Sequence, residues 1–363
     1  MNILILTTHF NTGGITSYVL TLGEALVKSG HQVWVASSGG DCESRLEEVG
    51  IRHVKVNIRT KSEAHPKLLL SLPLLNDLIV KQRIDIIHAQ TRVTQVLGTW
   101  LGYMSKVKVV TTCHGFFRPR WFRKMFPCWG AAVIAISKPV ERHLIEDFKV
   151  DPHKIHLIAN GIDLERFVMT DETKRRKLRR ELGIGEDPLI GIIARLSDVK
   201  GIDVLIKAMP LILKELPAAT LMIAGQGPQE VMLKKLTQDF SLSAHVFFKS
   251  TVNQTPDLLG AFDVFVMPSI MEGLGLSVIE AQACGIPVVA SRIGGLVDLI
   301  EDGKTGFLVP VNDPVALAKR IIEVLKDPQK SKIMAQQARS NIEKYFSAKR
   351  MVEETIKVYS NIL

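Results

Sequence analysis

Two glutamates eight positions apart are the first residues whose spacing suggests chemistry. They lie in Pro268-Ser269-Ile270-Met271-Glu272-Gly273-Leu274-Gly275-Leu276-Ser277-Val278-Ile279-Glu280-Ala281. The apolar run ending at Met267 reads as a strand, the glycines as a turn, and the stretch from Gly275 as a helix start. Free backbone N–H groups and a positive dipole end gather at such a point, which suits a phosphate. Glu280 falls about one turn into that helix. A carboxylate there cannot assist a phosphate, but it can accept hydrogen bonds from two ribose hydroxyls. The structural alternatives are a loop acid at Glu272 and a capping acid at Glu280.

Other loops carry weaker signals. Gly13-Gly14 follows the first strand and lets backbone approach a ligand without side-chain interference, or is an ordinary strand–helix turn. Gly225-Gln226-Gly227-Pro228 resembles part of a dinucleotide fingerprint, but position 230 is Glu where a third glycine belongs, which excludes that reading. His114 and His9 stand at strand ends. Ser137 reads as a helix N-cap, with a place in the lining of a ligand pocket as the alternative.

The elements that must position these residues alternate. Asn2–Thr7, Gln32–Ala36, Ile84–Ala89, Val107–Thr111, Ala132–Ile136 and Lys154–Ile158 read as strands, and Leu189–Ala194, Thr220–Ala224, His245–Phe248, Val264–Met267, Pro287–Ala290 and Gly306–Val309 as a second series. Continuous Val/Ile runs mark parallel strands buried on both faces. Between the series lies the charged run 171–181, a solvated connecting helix or, alternatively, a nucleic-acid patch. The predicted architecture is α/β, two doubly wound Rossmann-like domains facing each other across a cleft, over 1–165 and 166–345, with a final helix at about 346–363 packing back on the first domain.

Bulk properties narrow the class. The chain has 363 residues, 46% hydrophobic and 23% charged, which excludes intrinsic disorder. Its four cysteines have no metal-binding or disulfide spacing, so a reducing cytoplasm is expected. The N-terminus reads as a buried strand, not a signal peptide, and the longest apolar stretch, 68–80, is interrupted by Pro73, Asn76 and Asp77. Net charge is +9, of which +6 falls in residues 1–165, where 20 Lys and Arg face 14 Asp and Glu. No acidic residue lies between Asp85 and Glu141. Within that span, Phe116-Phe117-Arg118-Pro119-Arg120-Trp121-Phe122-Arg123-Lys124-Met125-Phe126-Pro127-Cys128-Trp129 interleaves cations and aromatics. An anionic membrane surface suits that mixture, single-stranded nucleic acid uses the same ingredients, and inward-packed aromatics are the structural alternative.

Taken together, Pro-Ser-x2-Glu-Gly-Leu-Gly-x4-Glu-Ala with its glutamate pair resembles the signature of retaining glycosyltransferase family 4, of GT-B fold. Ala194-Arg195-Leu196-Ser197-Asp198-Val199-Lys200-Gly201 matches the family's Arg/Lys loop, and Asn160-Gly161-Ile162-Asp163, Gly13-Gly14, Gly225-x-Gly227 and Thr112-Cys113-His114-Gly115 follow in the family's order along nearly the whole chain. The resemblance implies transfer of a sugar from a nucleotide diphosphate-sugar, with retention, in surface polysaccharide, lipopolysaccharide or glycolipid assembly. It implies donor binding by Gly13, Gly14, Asn160, Arg195, Lys200, Glu272, Gly273, Leu274, Gly275 and Glu280, and catalytic parts for Glu272, His114, Arg195 and Lys200. Arg195 and Lys200 would stabilise the departing diphosphate in place of a metal, Glu272 would hold donor-sugar hydroxyls, and His114 would touch the transferred sugar. No cofactor, metal or nucleic acid is expected. The base would be read by the loop 249–253. The acceptor is expected to be a sugar or lipid-linked precursor, which favours the membrane reading of Phe116 to Trp129 and a cytoplasmic location peripheral to the inner face of the membrane. The competing functions are a nucleotide-sugar epimerase of the same fold and a catalytically silent nucleotide-sugar-binding subunit.

Overall fold

A computed structural model of the chain describes every residue except Lys61, Ala64, Arg120 and 251–254, together with all side chains but those of Phe122 and Lys124 as well. The described residues divide into two units, Met1–Gly161 with Ala348–Leu363, and Ile162–Ser347.

Unit 1 is built on a seven-stranded parallel sheet of order β3-β2-β1-β4-β5-β6-β7. The strands are β1 Asn2–Leu6, β2 Gln32–Ser37, β3 Arg52–Lys55, β4 Ile86–Ala89, β5 Lys108–Cys113, β6 Ala132–Ala135 and β7 Ile155–Leu157. The residues of β1 from Ile3 to Leu6 are fully buried, as a strand covered by helices on both faces must be. On one face the helix Gly14–Lys28 lays Val19, Leu22 and Leu26 against the sheet, and the C-terminal helix Ala348–Ile362 completes that layer with Met351, Val352, Val358 and Tyr359. The other face is covered by Pro66–Lys81 and Arg92–Ser105. Strand β3 has no counterpart among the predicted strands: its sequence, RHVK, is a partly exposed edge with one aliphatic residue.

Unit 2 carries a six-stranded parallel sheet of order β10-β9-β8-β11-β12-β13. Its strands are β8 Leu189–Ile193, β9 Thr220–Ala224, β10 Val246–Lys249, β11 Val264–Met267, β12 Val288–Ser291 and β13 Phe307–Val309. The highly charged helix Glu172–Glu181 is tied down rather than free. Arg179 is buried, and it and Arg175 both pair with Asp263, so these two cations serve the packing of the unit. Both sheets reverse strand order near their middle, at β1/β4 and at β8/β11. In open α/β sheets the loops at such reversals hold the ligand.

Candidate functional site

In unit 2 the loops after β8 and β11 flank the reversal, and backbone hydrogen bonds stitch them together. Ile270 and Met271 donate to the carbonyl of Val199 at 2.8 and 3.3 Å. Gly201 adopts φ +61°, and a Cβ there would sit 2.0 Å from the Pro268 carbonyl oxygen, so only glycine permits this approach. The same holds for Gly294, at φ +51°, whose Cβ would lie 1.9 Å from the carbonyl oxygen of Glu272. A third loop supports Arg195 from the side: Leu196 donates to Gln226 O and Gln229 donates to Leu196 O. The Gly225-x-Gly227 pair thus braces a neighbouring loop.

This stitching brings Lys200 to Glu272, Nζ to Oε2 at 2.5 Å, with the Glu272 side chain only 12% exposed. The fully buried Ser269 hydroxyl donates to the same carboxylate oxygen at 3.2 Å. Arg195, by contrast, is exposed, and its guanidinium has no partner among the described residues. Gly273 and the buried Leu274 lead to Gly275, which caps the helix Leu276–Ala283 with no side-chain acceptor, leaving its first N–H groups without a side-chain cap. The result is an uncapped helix start with an unpaired guanidinium and a paired ammonium on the adjoining loop, an arrangement suited to a multiply charged anion.

Glu280 lies in that helix, half-buried and without a hydrogen-bond partner among the described residues. Burial pushes its carboxyl up to about 7, against the opposing pull of Arg166. Because the folded value is raised above the usual carboxylate range, folding binds a proton, and stability falls as pH rises from about 4.5 through 7. Glu280→Gln removes that cost. The variant is expected to melt higher than the parent at about pH 8, by the order of 2–4 °C that about 1 kcal/mol produces in a unit of this size. The gap should close near pH 5. A calorimetric scan at both pH values checks it, and an equal or lower Tm at pH 8 would remove the idea that this carboxylate is held at a cost to stability.

Unit 1 places the other sequence-derived residues. Thr12 is anchored by Asp41, whose carboxylate accepts from its N–H at 2.7 Å and from its hydroxyl at 3.1 Å. Gly13 then caps the helix Gly14–Lys28 without a side-chain acceptor, and a Cβ on Gly14 would meet nothing within 4 Å, so that backbone is open to an incoming ligand. Ser137 accepts from Val140 N as the N-cap of Lys138–Phe148. Exposed His9 accepts from Asn11 N. His114 follows β5; its Nε2 lies 2.8 Å from Gln90 Oε1 and its ring meets Tyr18 edge-on at 4.7 Å. Burial pushes its imidazole down to about 3, so it is neutral at physiological pH. Asn160 is buried with its Oδ1 unpartnered. No hydrogen bond among the described residues joins Gly13, Gly14, His114 and Asn160 to one another. Of the 249–253 loop, residues 251–253 lie outside the described residues.

The basic aromatic segment departs from expectation in two respects. Arg92, a cation of the acid-free stretch that precedes this segment, is buried: it pairs with Glu63 at 3.0 Å and donates to the Phe126 and Pro127 carbonyls. Arg123 turns onto the same carboxylate at 2.6 Å. A single acid from outside the acid-free stretch therefore neutralises two of its cations. Trp129 is buried as well, against Phe148 and Phe117. Arg118 stays exposed, as do Trp121 at 71% and Met125 at 63%. Arg120 and the side chains of Phe122 and Lys124 lie outside the described residues.

Sequence reasoning gave no part of their own to Ser269 and Gly201, though both lie in the motifs it quoted, and passed over Gly294 and Gln90.

Comparison with known proteins accounts for most of the chain. Residues 174–341 match the model of glycosyl transferases group 1, and residues 12–166 match that of Glycosyltransferase Family 4. A D-inositol 3-phosphate glycosyltransferase of Paenarthrobacter aurescens is 30% identical over 96% of this chain and 93% of its own. A UDP-Gal:alpha-D-GlcNAc-diphosphoundecaprenol alpha-1,3-galactosyltransferase of Escherichia coli is 28% identical over 82% and 80%. Among solved structures, Anabaena HepE in complex with UDP and glucose superposes with a TM-score of 0.89 at 23% identity, covering 99% of this chain and all of the other, which establishes a shared GT-B fold.

Proposed function

Because the chain belongs to glycosyltransferase family 4, we propose that it is a retaining, metal-independent transferase that moves a sugar from a nucleoside diphosphate to a lipid-linked or oligosaccharide acceptor. The observation that carries this reading is the loop pair of unit 2, with Arg195 unpaired and Lys200 held at Glu272 beside an uncapped helix start. The diphosphate gains negative charge as the sugar leaves. Lys200, held at Glu272, and the N–H groups at Gly275 oppose that charge from positions already set, which is where preorganised electrostatics contribute most, and the unpaired guanidinium of Arg195 adds a second cation. The two cations do here what a divalent metal does elsewhere. Glu272 then holds sugar hydroxyls, and Glu280 accepts from the ribose once ionised. In a front-face mechanism the departing phosphate oxygen takes the acceptor's proton, the C–O bond to phosphate breaks, and the new glycosidic bond forms on the same face, so the anomeric configuration is kept.

UDP appears in the description of the HepE structure and UDP-Gal in the name of the E. coli relative, so UDP-sugars come first in a panel that also includes GDP- and ADP-sugars. The true donor is expected to stabilise the protein by about 2.7 kcal/mol at a hundredfold excess over Kd. It should release nucleoside diphosphate only when acceptor is present, and EDTA should leave that rate unchanged. Loss of turnover with EDTA and recovery with magnesium would overturn the metal-independent reading. An epimerase would instead act without acceptor, and a silent subunit would bind without turnover.

The E. coli relative's name includes a diphosphoundecaprenol acceptor, which supports a lipid-linked acceptor for this chain too. Exposed Arg118, Trp121 and Met125 supply the cationic and apolar groups that such a surface engages.

A further inference from the structure

Gln90 follows β4 and His114 follows β5, adjacent strands of unit 1, and the backbone N–H of Gln90 is pinned to the Leu6 carbonyl at 3.0 Å. The Gln90 side chain is almost wholly buried. Its Oε1 meets His114 Nε2 at 2.8 Å, while its Nε2 has no partner among the described residues. A buried amide with both N–H groups unsatisfied is poorly placed to stabilise the fold, since an unmet donor costs more than one hydrogen bond returns. Its placement does have a consequence for His114. A carboxamide oxygen only accepts, so the Nε2 that faces it carries hydrogen. In a neutral ring the other nitrogen, Nδ1, is then a bare lone pair, and it has no partner among the described residues. Tyr18, from the helix Gly14–Lys28, meets the same ring edge-on.

We propose that Gln90 is a positioning residue that commits His114 to a single tautomer, with Nε2–H spent on the amide and Nδ1 presented as a hydrogen-bond acceptor to the sugar. This rests on the transferase reading and deepens it. A ligand atom facing Nδ1 must donate a hydrogen, so the site takes a sugar hydroxyl there and disfavours a carboxylate, whose oxygens only accept. The titratable groups around the ring are themselves unfavourable partners for an imidazolium. His88 on β4 is neutral, Tyr18 and, beyond His88, Tyr359 are buried phenols, and the Cys113 thiol is pushed up to about 12 by burial.

The test uses the full chain labelled with ¹⁵N-histidine, with long-range ¹H–¹⁵N correlation spectra between about pH 6 and 8, where an unperturbed histidine would titrate. The wild-type spectrum should show His114 as the Nε2–H tautomer alone and unchanged across that range. Gln90→Leu should give both tautomers. Gln90→Glu places a carboxylate against Nε2, favours the imidazolium, and should bring the titration into range. Its turnover should then fall about tenfold or more from pH 8 to pH 6, an acid limb that the wild type lacks. Hydrogen on Nδ1 in the wild type, or an unchanged tautomer in Gln90→Leu, would overturn the proposal. The wild-type spectrum decides the matter even where a variant does not fold. It also reads the imidazole whether or not any donor turns over, so a failure of the transferase reading registers separately, in the donor panel.

Discussion

Replacing Lys200 by alanine is expected to slow sugar transfer by roughly 10²- to 10³-fold in kcat, the loss seen when one preorganised charge-stabilising donor is removed from a transition state. The effect has two parts. The ammonium that opposes charge on the departing diphosphate is gone, and Glu272 loses its 2.5 Å partner. A half-buried carboxylate deprived of its cation repels the same diphosphate, so Lys200→Ala should also weaken binding of the sugar-free nucleotide. Arg195→Ala should cost about as much in kcat and leave the position of Glu272 intact, because that guanidinium is bound to none of the described residues. The double variant Lys200→Ala/Glu272→Gln should be less impaired than the two single effects multiplied, since contacting residues couple by about 0.5–3 kcal/mol. Steady-state kinetics on the four proteins give the answer. Near-normal turnover in Lys200→Ala, or strict multiplicativity, would mean that the pair does not act as a unit.

Binding to membranes should be reversible, selective for anionic vesicles, and concentrated in two side chains. One exposed arginine near an anionic surface contributes about 1 kcal/mol, and burying an aromatic of tryptophan's size adds roughly 1.5–3 kcal/mol that salt does not screen. Arg118→Ser combined with Trp121→Ser is therefore expected to lower the partition onto phosphatidylserine-containing vesicles by about 50-fold or more, with nucleotide binding unchanged. Co-sedimentation at low and high salt measures both terms. Arg92 and Arg123 do not belong in that variant, because their partner is Glu63 and their loss would loosen the segment itself. A wild-type protein that stays in the supernatant at low salt would make Trp121 an ordinary exposed residue and point to a water-soluble acceptor.

Where burial is uniform, the sequence was easy to read. Ile3 to Leu6, Ala132 to Ala135 and Val264 to Met267 are strands buried on both faces, and nothing but a run of apolar residues is needed to find them. The glutamate pair was legible for a similar reason: a loop and a helix start share one continuous stretch, so spacing in sequence is spacing in space. Contacts made over long separations were not. Glu63 is 29 positions from Arg92 and 60 from Arg123, so the pairing that turns both cations inward has no local signature. The steric roles of Gly201 and Gly294 were hidden because what demands a glycine is the carbonyl it presses on, at Pro268 and Glu272. Gln90 was passed over because an amide carries no charge and no motif, and its part depends wholly on which atom of His114 it faces.

The C-terminal helix has a consequence for how the protein comes off the ribosome. Tyr359 reaches back across 271 positions to His88 at 2.7 Å, His88 continues to Thr112 at 2.7 Å, and Thr112 in turn meets the Tyr18 hydroxyl at 3.3 Å. With Met351, Val352 and Val358 it covers one face of the sheet whose first strand begins at Asn2. Unit 2 is an uninterrupted stretch, so it has all of its own residues before 348–362 are made. The unit translated first is thus completed last, and throughout synthesis of the intervening 186 residues, Ile162–Ser347, it waits with an apolar face open to water. A chain stopped at Ser347 would carry a finished second unit on an unfinished first one, and the sticky surface it shows to chaperones would be the face left bare around Tyr18 and His88.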